Sequence, residues 1–263
     1  MRNEKHTGVF HSENTGINTM IRIVLGNVGS GKSATIVREM VLSNIPIHSN
    51  IVTKKIPNNT LIKKEHIFKE HIVRIKKTGE PEIKLMLNSD YWKKLKQQEP
   101  TTTVILDEAH TLLNPRRSMS KKNEVMTDFL ALLRRIIGTS SLGQGELILI
   151  TQLERRLDVI AKEMATLVQY CICHYTKECN KCHTTWNETN EMSKKLWICP
   201  NCSHNGITRH SFVIEIFNFK NIEKYNLWHE YKQKTYFEKQ FVTNIELIFP
   251  LYDTLQWDNL LSD

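Results

Sequence analysis

The chain has 263 residues, with Lys and Arg outnumbering Asp and Glu by 36 to 28 for a formal net charge of +8. That length accommodates one α/β domain plus a small inserted module, and the positive excess favours an anionic partner such as nucleic acid. No run of about twenty apolar residues occurs, so no integral membrane segment is expected; Met1–Thr19 is polar without an apolar centre, which excludes a secretory signal and reads as a flexible N-terminal tail of a cytoplasmic protein.

Met20 to Leu25 is an apolar run that reads as a buried strand. It leads into Gly26-Asn27-Val28-Gly29-Ser30-Gly31-Lys32-Ser33, which fits G-x-x-x-x-G-K-[ST]. Ser33 to Leu42 follows as a helix. Glycines allow the loop to wrap with its N–H groups inward, and the helix N-terminus adds partial positive charge where phosphate would lie. Lys32 would reach the β- and γ-phosphates of ATP, and the Ser33 hydroxyl would ligate Mg²⁺. Pro46 to Thr53 reads as a second strand. His71 to Leu87 alternates around Thr78-Gly79-Glu80-Pro81, a hairpin pattern. Tyr91 to Gln98 is a short basic helix ended by Pro100.

Thr102 to Leu106 is a β-branched strand that closes on Asp107-Glu108. In an open parallel sheet, ligands bind beyond the carboxyl ends of the strands. Asp107 would therefore hold Mg²⁺, and Glu108 would polarise the attacking water. A polar loop, Asn114 to Asn123, precedes an amphipathic helix from Glu124 to Ile137, stopped by Gly138. Arg134 and Arg135 near its end have no acidic neighbour at helical spacing. They either complement the helix dipole or act as an arginine finger in a neighbouring subunit. Arg116, Arg117, Lys121 and Lys122 face either solvent or DNA phosphates.

Glu146 to Thr151 is another buried strand. It ends at Gln152, whose amide either orients the lytic water or is a solvated strand end. Leu153 to Ala165 reads as a helix, and Leu167 to Tyr175 and His210 to Asn218 as two further strands. Between these lie Cys179-x-x-Cys182 and Cys199-x-x-Cys202, a zinc-ribbon spacing in which four thiolates enclose Zn²⁺ with no open position for catalysis. Such a centre carries −2 and lowers the formal +8 to about +6. His174, His183, His204 and His210 are nearby, but the cysteines complete the set. Cys171 and Cys173 share a strand face and read as small core residues. Trp186 and Trp197 flank the module and either pack over it or stack on bases. Lys220 to Asp263 is aromatic and less regular. No internal repeat is visible.

The phosphate loop, the Asp107-Glu108 strand, the arginine-bearing helix and the Leu-Ile-Thr-Gln152 strand end resemble the FtsK–HerA superfamily of DNA-pumping ATPases. Within it the chain is most similar to the zonular occludens toxin (Zot)-like and viral genome-packaging branch, in Asp-Glu-Ala, Pro115-Arg116, Arg134 and Arg135 before Gly138, and the Thr-Gln element followed by Arg155 to Asp158. Leu251-Tyr252-Asp253-Thr254 resembles a tail motif of such proteins. The resemblance implies a RecA-like core, usually a hexameric ring, that hydrolyses ATP to move double-stranded DNA. It makes Gln152 the sensor and Arg134 or Arg135 the finger acting in trans. The zinc ribbon is not general to the family. Filamentous-phage relatives carry a membrane span, so packaging, with a portal or capsid partner, is expected rather than extrusion. Asp107-Glu108-Ala109-His110 also spells a helicase box, but such helicases need two RecA-like domains.

The expected architecture is thus α/β: a RecA-like P-loop NTPase core with a mostly parallel sheet, plus a small zinc-ribbon insertion. The tail is 1–19, the ATPase core 20–175, the ribbon 176–207, and a final core strand with the C-terminal segment 208–263. The expected function is ATP-driven DNA translocation; the alternative is a nucleotide-gated viral assembly or scaffold protein that uses the ribbon to bind protein.

Overall fold

The computed structural model describes residues 20–75, 81–99, 101–112, 125, 128–133, 145–152, 154–157, 159–192 and 195–257. In chain order the strands are β1 (Met20–Leu25), β2 (Ile47–Ser49), β3 (Ile51–Thr53), β4 (Asn59–Leu61), β5 (Phe68–Ile75), β6 (Pro81–Leu87), β7 (Thr103–Leu106), β8 (Glu146–Ile150), β9 (Leu167–Cys179), β10 (Thr185–Thr189), β11 (Ile207–Phe219), β12 (Glu238–Val242) and β13 (Tyr252–Trp257). The helices are α1 (Lys32–Leu42), α2 (Lys64–Ile67), α3 (Ser89–Gln98), α4 (Ala109–Leu112), α5 (Val159–Glu163) and α6 (Ile222–Tyr231).

A nine-stranded sheet organises the molecule, in the order β12-β11-β9-β1-β8-β7-β2-β4, with β10 branching from β9. From β9 to β4 the neighbours are parallel; β10, β11 and β12 are antiparallel. Parallel strands covered on both faces read as continuous apolar runs, and β1, β7 and β8 do so. Their side chains divide by the two-residue period of a strand. Ile23, Leu25, Val104, Leu106, Leu147 and Leu149 pack with Trp92, Phe129 and Leu133 on one face. Val24, Ile105, Ile148 and Ile150 meet Ala34, Ile36, Val37 and Met40 of α1 on the other. The result is a layered α/β fold with a mostly parallel sheet.

Several expectations change in detail. The strand expected over Pro46–Thr53 is two strands. Asn50 stands between them: its N–H still donates to Ile105 O at 3.3 Å and its side chain bonds the backbone of Asp107, while β3 beyond it pairs with β13 instead of the main sheet. The helix expected over Leu153–Ala165 is a 3₁₀ turn, Glu154–Arg156, followed by the short α5. The hairpin over 71–87 is present as β5 and β6. β9 and β11 extend beyond their expected ends into one long antiparallel ladder reaching Cys179. β4, α2, α6, β12 and β13 were not anticipated. Of the helix expected over Glu124–Ile137, residue 125 and residues 128–133 are helical, with Phe129, Leu130 and Leu133 buried. The tail 1–19, the polar loop with Arg116, Arg117, Lys121 and Lys122, and the candidate fingers Arg134 and Arg135 lie outside the described residues. Among the described residues, no helix is long and apolar enough to cross a membrane.

Candidate active site and metal centre

The carboxyl ends of β1, β7 and β8 open onto one cavity of about 1080 Å³, lined in part by Gly29, Lys32, Ser33, Asp107, Glu108 and Gln152. The loop after β1 reaches α1 through Gly31, whose φ of +83° is left-handed. A Cβ there would also lie 2.2 Å from Ile214 Cδ1. Only glycine meets both conditions without strain, and its close fit sets the amino end of α1 flush against β11. Lys32 is buried and its ammonium donates to the loop itself, to Gly26 O at 2.7 Å and Asn27 O at 3.1 Å. Burial pulls its pKa below the usual lysine value, against the pull of neighbouring acidic groups that include Glu108 and Asp107.

Ser33 Oγ donates to Asp107 Oδ2 at 2.8 Å, so two hard oxygen ligands already face each other. Burial raises the Asp107 carboxyl above its usual range, opposed by the bonds from Ser33 and from Glu108 N. Asn50 clamps the same residue through its backbone: Asp107 N donates to Asn50 Oδ1 (2.6 Å), and Asn50 Nδ2 donates to Asp107 O (3.0 Å).

Glu108 sits at φ +50°, a costly left-handed conformation for a side-chain-bearing residue. Its carboxylate is gripped on both sides. Gln152 Nε2 donates to Oε1 at 2.8 Å, and His110 Nδ1 lies 3.1 Å from Oε2. Burial pushes the Glu108 pKa up, but the hydrogen bonds of His110 and Gln152 and the positive charges nearby bring it below the usual glutamate value. His110 also reaches Thr151 Oγ1 (3.2 Å) at the end of β8.

The four cysteines come together at the far end of the β9–β11 ladder. Their sulfurs all lie within 4.8 Å of one another, and Cys179 and Cys199 are buried. Lys181 N and Asn201 N each point at a cysteine sulfur at 3.4 Å, the amide-to-thiolate bonds of a tight Cys-x-x-Cys knuckle. Four soft sulfur donors at tetrahedral spacing fit zinc, and the cluster is consistent with a zinc-binding insertion. Beneath it, Lys177 and Glu188 form an ion pair at 2.8 Å with both side chains 2% exposed. Trp197 is exposed and packs on cations, with Lys177 Nζ 5.3 Å and the Arg209 guanidinium 5.9 Å from its ring centre. Cys171 and Cys173 belong to the core. Burial raises their thiols to about 12 and about 11.

Lys32, Ser33, Asp107, Glu108 and Gln152 therefore share one site, while Gly26 to Ser30 form its loop. Four neighbours had escaped sequence reasoning. Asn50 follows two other polar residues, His48 and Ser49, and carries no signal of its own. His110 stands in the helicase-like tetrapeptide. Tyr252 stands in the tail motif. Glu191, which accepts from Asn27 Nδ2 at 2.9 Å with both its oxygens, has no local signal.

A strand, a glycine-shaped anion loop, a helix and an acidic strand end in a parallel sheet define a P-loop NTPase. A family profile described as Zonular occludens toxin (Zot) matches residues 20–195. The chain belongs to that family. Among solved structures it is similar to the N-terminal domain of zonular occludens toxin from Neisseria meningitidis, with 16% identity and a TM-score of 0.48, covering 90% of this chain and 100% of that one. It is also similar to the genome packaging NTPase B204 from Sulfolobus turreted icosahedral virus 2 in complex with AMP, with 18% identity and a TM-score of 0.33 over 59% of this chain and 76% of that one. A third similar structure is the FIGL-1 AAA domain in complex with ADP, with 14% identity and a TM-score of 0.32 over 58% and 42% of the respective chains. No curated protein sequence matches the chain.

Proposed function

We propose that the protein is an ATPase that drives translocation of double-stranded DNA, of the kind that packages a viral or mobile-element genome. The observation that carries this reading is the convergence of Ser33, Asp107, Glu108 and Gln152, from three separated strand ends, on the cavity of the phosphate loop. Loop amides 26–33 and the α1 N-terminus hold the phosphates. The Lys32 ammonium exchanges its present loop carbonyls for β- and γ-phosphate oxygens. Ser33 and Asp107 would hold Mg²⁺, which supplies neutralisation of phosphate charge. Glu108, ionised at neutral pH, accepts a proton from water as the water oxygen bonds to the γ-phosphorus; the bond to the bridging oxygen breaks and ADP leaves. Gln152 reads the presence of the γ-phosphate through its bond to Glu108.

In this reading residues 20–175 carry the chemistry and Arg134 or Arg135 completes the site of the next subunit in a hexameric ring. The cysteine module, 176–207, holds Zn²⁺ and docks the motor on DNA or on a portal or capsid protein. The test is ATP turnover by the purified protein with and without duplex DNA. Stimulation by DNA is expected, together with at least a ~100-fold loss of turnover in Glu108→Gln with nucleotide binding retained, the scale of a lost general base. Binding without appreciable turnover, whatever DNA is added, would overturn the motor and leave a nucleotide-gated scaffold.

A further inference from the structure

Residues 245–253, in the segment that sequence reasoning read only as aromatic and irregular, pass from one side of the phosphate loop to the other. The stretch starts against β11, where Glu246 Oε1 accepts from Phe212 N at 2.8 Å. It ends on β3, where Leu251 O accepts from Lys54 N at 2.6 Å and Tyr252 pairs with Thr53. Between those anchors Ile245, Phe249, Pro250 and Tyr252 line the same cavity as Gly29 to Ala34. Two 3₁₀ turns, Ile245–Leu247 and Phe249–Leu251, give the strap its curvature.

Two features of this strap point to a ligand. The first is an apolar wall. Phe249 and Phe212 meet edge to face with ring centres 5.4 Å apart, and Tyr175 stands 5.9 Å behind Phe212. Phe249 remains 38% exposed, an aromatic side chain left open at the rim of a cavity whose other end is built for anions. The second is Tyr252. It is 8% exposed and lines the cavity, yet its hydroxyl has no hydrogen-bond partner among the described residues. Burial, with the negative charge of Asp107 adding to it, pushes the phenol up to about 12, so the group stays an O–H donor. A cavity of about 1080 Å³ exceeds what a triphosphate chain needs and suits a whole nucleotide, given that pockets of roughly 300–1,000 Å³ enclose ligands of that size.

We propose that the strap 245–253 is the nucleoside-binding element of this cavity, with the base of a nucleoside triphosphate lying against Phe249, Pro250 and Phe212 and the Tyr252 hydroxyl donating to the bound nucleotide on the Asp107 side. This rests on the reading of the phosphate loop as a triphosphate site. The phosphate loop fixes one end of the ligand, and the apolar wall takes the other by stacking and burial.

Calorimetric titration of the full chain with Mg²⁺ and either ATP or inorganic tripolyphosphate separates the two ends. The wild-type protein is expected to bind ATP more tightly than tripolyphosphate. Phe249→Ala should weaken ATP roughly tenfold to a hundredfold, the size of one lost base–aromatic stack, and leave tripolyphosphate unchanged. Phe249→Tyr should restore ATP binding. Tyr252→Phe, which keeps the ring and removes only the hydroxyl, should weaken ATP severalfold. Equal affinity of the wild type for both ligands, or a Phe249→Ala variant that weakens both alike or neither, overturns the strap's role while the phosphate loop stands. A wild-type protein that binds neither ligand overturns the phosphate-loop reading itself, and the strap proposal with it.

Discussion

At the scale of single residues, the site depends on how each carboxylate's surroundings offset its burial. Glu108 is the clearest case. Burial raises its pKa, and His110 and Gln152 more than reverse that. Removing His110 takes away a hydrogen bond that favours the ionised carboxylate, so the Glu108 pKa must rise. In His110→Asn the acidic limb of the pH–rate profile for ATP turnover is therefore expected to move to higher pH, with the plateau reached later on the alkaline side. An unmoved limb would show that His110 does not set the protonation of Glu108. Glu188 repeats the logic where no catalysis intervenes. Burial raises its pKa, but bonds from Lys177, from Trp186 Nε1 and from Leu196 N carry it below its ordinary value of 4.5. A carboxylate with a depressed folded pKa adds stability that is fully present above the unfolded pKa and is lost as pH falls through the folded one. The melting temperature should thus drop on acidification below about 4.5. Glu188→Gln should lack that component. It should also lose about 3–5 kcal/mol in chemical denaturation at neutral pH, because Lys177 is left buried without its counter-charge.

At the scale of elements, the phosphate loop is fixed by close contact as much as by sequence motif. Gly31→Ala places a methyl group in the left-handed region and against Ile214. The conformational part alone costs about 1–2 kcal/mol, and relief requires the Ile214 side chain to swing aside or the amino end of α1 to move off β11. The expected outcome is a lower melting temperature together with a loss of ATP affinity, both read on the same sample; a variant that lost neither would show the loop to be slack. These elements differ in how openly the sequence displays them. β1, β7 and β8 were legible because strands buried on both faces need near-continuous apolar runs, and the loop after β1 was legible because its glycines answer a local backbone demand. The break at Asn50 was not, since the partners of the chain on either side of it, β7 and β13, and of its side chain, the backbone of Asp107, are all remote in sequence. The same holds for the strap 245–253 and for α6. Their aromatic residues pack against β9 and β11 rather than in a helical or strand period: Phe217 and Phe219 meet Trp228, and Phe212 meets Phe249. Arg22 shows a third case. A charge inside a buried strand reads as an anomaly, yet it joins three elements, with Glu39 of α1 at 2.6 Å, Glu146 of β8 at 2.8 Å and Gln169 of β9 at 3.1 Å. Among the residues of the site, those of the phosphate loop and of the two polar strand ends were readable, and those that hold them in place were not.

At the scale of the whole molecule, the cysteine module and the phosphate loop are ends of one construction. β9 passes Gly26 closely enough that a Cβ on that glycine would lie 2.7 Å from Cys171 O, and the same strand continues to Cys179. The chain then turns through the cluster and returns along β10 to Asn190 and Glu191. Asn190 Oδ1 accepts from Cys173 N at 2.7 Å, which pins the return to β9. Glu191 accepts from Asn27 in the phosphate loop and from Tyr170 OH at 3.1 Å. A metal that cross-links Cys179 and Cys182 to Cys199 and Cys202 restrains the chain on both sides of β10, and so steadies the carboxylate that touches the loop. Chelation of the metal is therefore expected to raise amide hydrogen exchange in two places, across residues 179–206 and again at residues 27–30. Glu191→Ala should raise exchange only at the second place, with metal content unchanged. If the two sites are coupled in this way, the coupling is reciprocal: saturating ATP should slow loss of metal to the chelator, and should fail to do so in Glu191→Ala. Chelation that loosens 179–206 while exchange at 27–30 stays fixed would mean that the brace carries no load between them, and that the module's metal serves the module alone.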